Sequence, residues 1–83
     1  MGNDLTKGEV YALTILTAKE LGLDASYEKQ AEDFLRNKKI APILIRGFEE
    51  EATRCGKEAF RKYGLNKCLE KMDTLKEKFN LVH

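Results

Sequence analysis

Apolar positions recur along this chain at intervals of three and four residues, the period of helices that bury one side. Four segments carry that period. The first runs from about Lys7 to Leu21, and its start is marked by Thr6-Lys7-Gly8-Glu9 between Leu5 and Val10. Thr6 is placed to accept a hydrogen bond from the Glu9 amide while the Glu9 carboxylate accepts from the Thr6 amide, and Leu5 and Val10 occupy the apolar staple positions. Gly22 stops the segment, since glycine tolerates the left-handed conformation of a helix C-terminus, and Leu23 can fold back onto the last turn. Val10, Tyr11, Leu13, Ile15, Ala18 and Leu21 cover well over half of the circumference. Ala12 and Leu16 fall on the remaining arc, among Glu9, Lys19 and Glu20. A helix this apolar is either central in its bundle or covered by another chain.

The second segment starts after Asp24 or Ser26, either of which can cap it, and ends near Asn37. Tyr27, Ala31, Phe34 and Leu35 form its buried face, and Arg36, Lys38 and Lys39 suit the negative end of its dipole. Pro42, the only proline, fits the first turn of the third helix. From there Ala41, Ile45, Phe48, Ala52, Cys55 and Ala59 repeat in steps of four and three, a heptad-like seam that runs on to Tyr63. Its second half is small (Ala52, Cys55, Gly56, Ala59), so a neighbouring helix can approach closely there. Gly64 ends this long segment. Asn66 is placed to cap the fourth, which is expected to bury Leu65, Cys68, Leu69, Met72, Leu75 and Phe79. No stretch shows sustained alternation, and proline within Ile40–Ile45 argues against a central strand.

Composition narrows the class. With 83 residues, the chain has room for one core and one domain, residues 1–83. Fifteen basic residues against 14 acidic ones give a net charge of +1, far from the basic excess of a dedicated nucleic-acid or membrane-surface domain. Cys55 and Cys68 are the only cysteines. Across a hairpin centred on Gly64 they would be offset by roughly 7 Å along the axis at the helical rise. Added to the helix spacing, that exceeds the reach of a disulfide, so two reduced, buried thiols are expected. No secretory signal is visible, and the nearly apolar runs Val10–Ala18 and Ile40–Ile45 are too short for a membrane span. A cytoplasmic setting without membrane contact follows as the expectation.

Catalytic equipment is sparse. The one histidine, His83, is the last residue of the sequence, where a general base is hard to hold in place. There is no nucleophile elbow, no zinc-protease motif, no phosphate-binding loop and no dinucleotide fingerprint. Cys55 and Cys68 have no base in register, and two cysteines with a terminal histidine do not make a zinc set. Glu49-Glu50-Glu51 fans around a helix instead of converging on an ion. No enzyme activity, metal or cofactor is therefore assigned. Arg46, Glu50, Arg54, Glu58 and Lys62 alternate in sign at steps of four, which predicts a self-paired ladder.

Two surfaces remain. Arg36, Lys38 and Lys39 precede the start of the third helix, and with Arg46 they are the candidates for holding a phosphate or a nucleic-acid backbone. Ala12, Leu16, Ile43 and Phe48 are the candidates for partner contact, because a small domain seldom has enough neighbours to cover a helix on every side. The expected architecture is an all-α, small four-helix domain, an orthogonal or up-down bundle with a long third helix. The expected function is a non-catalytic protein–protein interaction module that self-associates as a homodimer. A small nucleic-acid-binding regulator of helix-turn-helix type, using the basic turn 36–39, is the alternative.

Overall fold

Thr6 closes the predicted capping box and starts α1 (Lys7–Glu20). Its hydroxyl accepts from the Glu9 amide at 3.2 Å, and its own amide donates to Glu9 Oε1 at 2.9 Å. The computed structural model describes residues 5–81. Within them α1 is followed by α2 (Glu28–Asn37), a 3-10 turn (Pro42–Leu44), α3 (Ile45–Tyr63) and α4 (Leu65–Lys78). The chain is all-helical over the described residues, and α3 is the longest element.

α1 is the hub. It packs against α2, α3 and α4, whereas α3 and α4 touch each other only lightly. Ala12, Leu13, Ile15, Leu16, Thr17 and Ala18 are all buried, so nearly every direction around the helix is occupied by protein. Of the two ways to cover so apolar a helix, the fold uses the central one. Ala12 and Leu16, assigned from the sequence to the arc opposite the main face, are core residues, while Val10 on the supposed main face is 42% exposed. The reason is that three neighbours, not one, define the inside.

The seam of α3 becomes buried only from Phe48 onward. Phe48, Ala52, Cys55 and Ala59 are interior, but Ala41 and Ile45 are exposed because the proline turn lifts this end away from α1. The close approach expected of the small half occurs, and α1 is the helix that makes it. A Cβ built on Gly56 would lie 2.9 Å from Thr14 Cγ2, tighter than carbon contacts allow. Around Phe48 an aromatic cluster ties α2 to α3, with Tyr27 edge-on at 6.3 Å and Phe34 tilted at 6.2 Å between ring centroids.

Helix ends carry much of the local design. Gly22 (φ 100°) allows a Schellman motif in which Gly22 N donates to Lys19 O at 3.0 Å and Leu23 N donates to Ala18 O at 2.9 Å. The same motif closes α4 on Asn80 (φ 60°), where Leu81 N donates to Lys76 O at 2.8 Å and the Leu81 side chain is buried in the core. Two expected caps differ. α2 begins at Glu28 with Tyr27, in the left-handed region (φ 66°), at the N-cap position and no side-chain cap, and the Ser26 amide donates to Glu51 Oε2 at 2.6 Å. α4 begins directly after Gly64 without a cap from Asn66.

Two carboxylates tie separate elements together. Glu9, buried at the start of α1, accepts from Lys38 Nζ beyond the end of α2, and this contact with the Thr6 amide holds its carboxyl below the usual range. Glu51 on α3 pairs with Arg54 Nη2 at 2.7 Å and receives the Ser26 amide, so it too is lowered. Arg54 Nη2 also donates to Asp24 O at 2.9 Å, which pins the loop between α1 and α2 onto α3. Both carboxyls are depressed below their ordinary value of 4.5, so this stabilisation is present above that pH and fades as pH falls through the lowered values. Glu9→Gln is expected to lower the unfolding free energy at pH 7 by about 1–3 kcal/mol and to make acid destabilisation shallower. Urea titrations of both proteins between pH 7 and pH 3 measure each effect.

Candidate functional site

α4 differs most from its sequence expectation. Of the six residues assigned to its buried face only Leu75 is fully interior; Cys68, Met72 and Phe79 are half-buried, and Leu65 and Leu69 are 54% and 47% exposed. The cause lies in the hub arrangement. α4 rests mainly on α1, so the side facing α3 is left without a helix against it. Phe60, at the matching end of α3, is 56% exposed. These three side chains border a groove of about 200 Å³, lined by α1 (Thr14, Thr17), α3 (Gly56, Ala59, Phe60) and α4 (Leu65, Cys68, Leu69, Met72). None of its lining residues is charged.

The groove contains one polar irregularity. Thr14, on the α1 wall, returns its hydroxyl to Val10 O at 2.7 Å, the usual solution for a threonine inside a helix. Thr17, one turn on and 2% exposed, has a hydroxyl that is buried without a hydrogen-bond partner. A polar group left in that state costs about 1–3 kcal/mol.

The residues singled out from the sequence fall in different places. Ala12, Leu16 and Phe48 are 0%, 4% and 2% exposed, so a partner could reach them only by opening the domain. In the single chain all three are core residues. Ile43 alone among the four is exposed, at 90%, on the 3-10 turn. A second concavity near that turn, lined by Tyr11, Phe34, Ile40, Ile45 and Phe48, also contains Lys7 and Glu49, and Glu49 Oε2 accepts from the Tyr11 hydroxyl at 2.9 Å.

The basic candidates do not converge. Lys38 takes a left-handed conformation at the end of α2 and directs its ammonium to Glu9 and to Leu35 O. The Arg36 guanidinium lies 5.5 Å from the centroid of the Phe79 ring, on the α4 side. Arg46 pairs with Glu50 at 3.7 Å, and Lys39 is exposed. The predicted ladder on α3 forms in part: Arg46–Glu50 and Arg54–Glu58 are both present at 3.7 Å, but Arg54 makes its shorter contact with Glu51. Sequence reasoning missed that clamp because a step of three competes with a step of four on a helix surface, and the loop acceptor that decides between them is 30 residues away.

Both thiols are free. Cys55 is fully buried between α1 and α3, and desolvation pushes its pKa up to about 11, which keeps it protonated near neutrality. Cys68 is half-buried in the groove wall. Among the described residues no group of three or more His, Cys, Asp and Glu is placed to hold a metal ion, and His83 lies outside the described residues. No helix among them is long and apolar enough to cross a membrane.

Replacing Thr17 by valine keeps the shape and removes the unpartnered hydroxyl. Thr17→Val is expected to raise the unfolding free energy by about 1 kcal/mol, whereas Thr14→Val, which removes a satisfied hydroxyl, is expected to change it by less than about 0.5 kcal/mol. Denaturant unfolding of the two variants beside the parent protein gives the comparison. Set against known protein families, curated proteins and solved structures, the chain matches none of them.

Proposed function

We propose that this protein is a non-catalytic interaction module that self-associates through the groove between α3 and α4. The observation that carries this reading is the cluster of Phe60, Leu65 and Leu69, each about half exposed, around a concavity with no charged lining. Large apolar side chains gathered at an uncharged concavity mark a contact surface; Ile43 and Ile45 are also exposed, at 90% and 51%, but at the end of the molecule served by the second concavity. The second concavity, with Lys7 and Glu49 in its wall, is less suited to a dry contact.

The expected strength follows from the area left exposed. Half of a Phe or Leu side chain is worth about 1 kcal/mol on burial, so the six such side chains of a pair contribute roughly 6 kcal/mol. Association costs at least about 4 kcal/mol, and the flanking contacts must supply the balance. These figures alone leave about 2 kcal/mol, so the expected dissociation constant of about 1 mM or tighter, about 4 kcal/mol, takes at least about 2 kcal/mol from those flanking contacts.

Sedimentation equilibrium from micromolar to millimolar concentration tests the proposal, and a strict monomer across that range refutes it. The double variant Phe60→Ser/Leu69→Ser is expected to stay folded by circular dichroism and to remain monomeric throughout. Cys68 supplies an internal probe. Its alkylation is expected to slow as protein concentration rises, while Cys55 stays unmodified until the domain unfolds.

A further inference from the structure

We infer that the occupant of the α3–α4 groove is a second copy of this chain, placed by a two-fold axis that runs along the groove, with the basic flank of α3 on each copy lying over the acidic flank of α4 on the other. This inference rests on the self-association proposed above and specifies its geometry. On α3 the residues next to Phe60 on the side away from the core are Lys57 and Arg61, by the 100° step of the helix. Both are exposed, Arg61 with 81% of its side-chain surface open. On α4 the residues beyond Leu69 in the corresponding direction are Asp73 and Glu70, 74% and 75% open. One wall of the groove thus ends in positive charge and the other in negative charge.

The two flanks stand on opposite walls with the apolar groove between them, so neither satisfies the other within one chain. Their partners on their own helices are loose: Arg61 lies 3.8 Å from Glu58, Glu70 3.7 Å from Lys67 and Asp73 3.8 Å from Lys76. Exposed pairs of that kind contribute little. A two-fold rotation about the length of the groove carries the α3 wall of one copy over the α4 wall of the other, and the converse contact forms by the same operation. Opposite charges then meet at both edges of the interface while Phe60, Leu65 and Leu69 close the centre. A rotation about the perpendicular in-plane axis would instead set α3 against α3 and bring like charges together, which disfavours that arrangement. The charge pattern therefore selects one of the two face-to-face arrangements.

Charge reversal in trans tests this pairing. Variant one carries Lys57→Glu and Arg61→Glu; variant two carries Glu70→Lys and Asp73→Lys. Each changes only exposed side chains, and circular dichroism confirms that each is folded. Alone, each places like charges at both edges of its own dimer, and its dissociation constant is expected to rise at least about tenfold at low salt. Mixed in equal amounts, the two restore opposite charges at both edges, and a heterodimer of near parental affinity is expected in sedimentation and in exchange of a fluorescent label. Weakening without rescue in the mixture, or unchanged affinity in the separate variants, overturns the pairing while leaving self-association through Phe60 and Leu69 intact. A parental protein that stays monomeric at millimolar concentration overturns both.

Discussion

Ala12, Leu13, Ile15, Leu16, Thr17 and Ala18 point in nearly every direction around α1, and all six are removed from water. No single neighbouring helix can do that, because one packing contact covers about a third of a helix surface. Three helices must lean on α1 at once, and the rest of the architecture follows from meeting that condition in a short chain. The energetic stake is large. Burying Leu13, Ile15 and Leu16 alone is worth roughly 5–9 kcal/mol, comparable to the whole net stability of a domain. Close approach is bought with small residues: Ala12 and Ala18 on α1, Ala31 on α2, and Ala52, Gly56 and Ala59 on α3.

A hub of this kind leaves its spokes short of contact with one another. The Phe48 cluster fills the junction of α2 and α3, and the Glu51–Arg54 pair fastens the adjoining loop. Between α3 and α4 there is no equivalent filler. Gly64 joins the two helices with a single residue and holds their ends together, yet both lean towards α1, so the space between them opens into the groove. The exposed apolar side chains of α4 are the direct consequence of completing the enclosure of α1 with a chain of this length.

How much of this was legible in the sequence depends on the range of the interaction concerned. Local signals were legible. The capping box at Thr6, the stop at Gly22, the proline before α3 and the break at Gly64 all act within a few residues, and each appears where the pattern places it. Neighbour-dependent features were not. Periodicity put Leu16 opposite the main face of α1 and Leu69 on the inner face of α4, and the structure reverses both, because inside and outside depend on how many helices surround each one. The start of α2 differs too: Ser26 has a suitable side chain, but Tyr27 occupies the N-cap position and the Ser26 amide donates to Glu51, 25 residues away. The groove had a partial sequence signal in the small residues Gly56 and Ala59 beside Phe60. That the neighbour fitting them was α1, and that α4 would leave the space above it open, required the three-dimensional arrangement.

The charges follow the same division between what one chain settles and what it leaves open. Basic residues grouped by the sequence into a possible anion site are directed to separate partners: Lys38 to Glu9, Arg36 to the Phe79 ring and Arg46 to Glu50. Such a dispersed set offers no converging donors for a phosphate, which needs several aimed at one point. The 15 basic and 14 acidic residues nearly cancel, so the proposed pairing of two copies would face little net repulsion and local pattern would decide its orientation. Within that balanced surface, Lys57 with Arg61 and Glu70 with Asp73 are kept apart by the width of an uncharged groove. Among the described residues, Arg61, Glu70 and Asp73 find ion-pair partners only on their own helices, in exposed contacts that stabilise the chain very little. In the proposed dimer they would meet at the solvent-exposed edges, where their attraction guides orientation and weakens with salt. In that proposed arrangement, the same gap that leaves α4 incompletely covered is what would give the charge pattern a partner to act on.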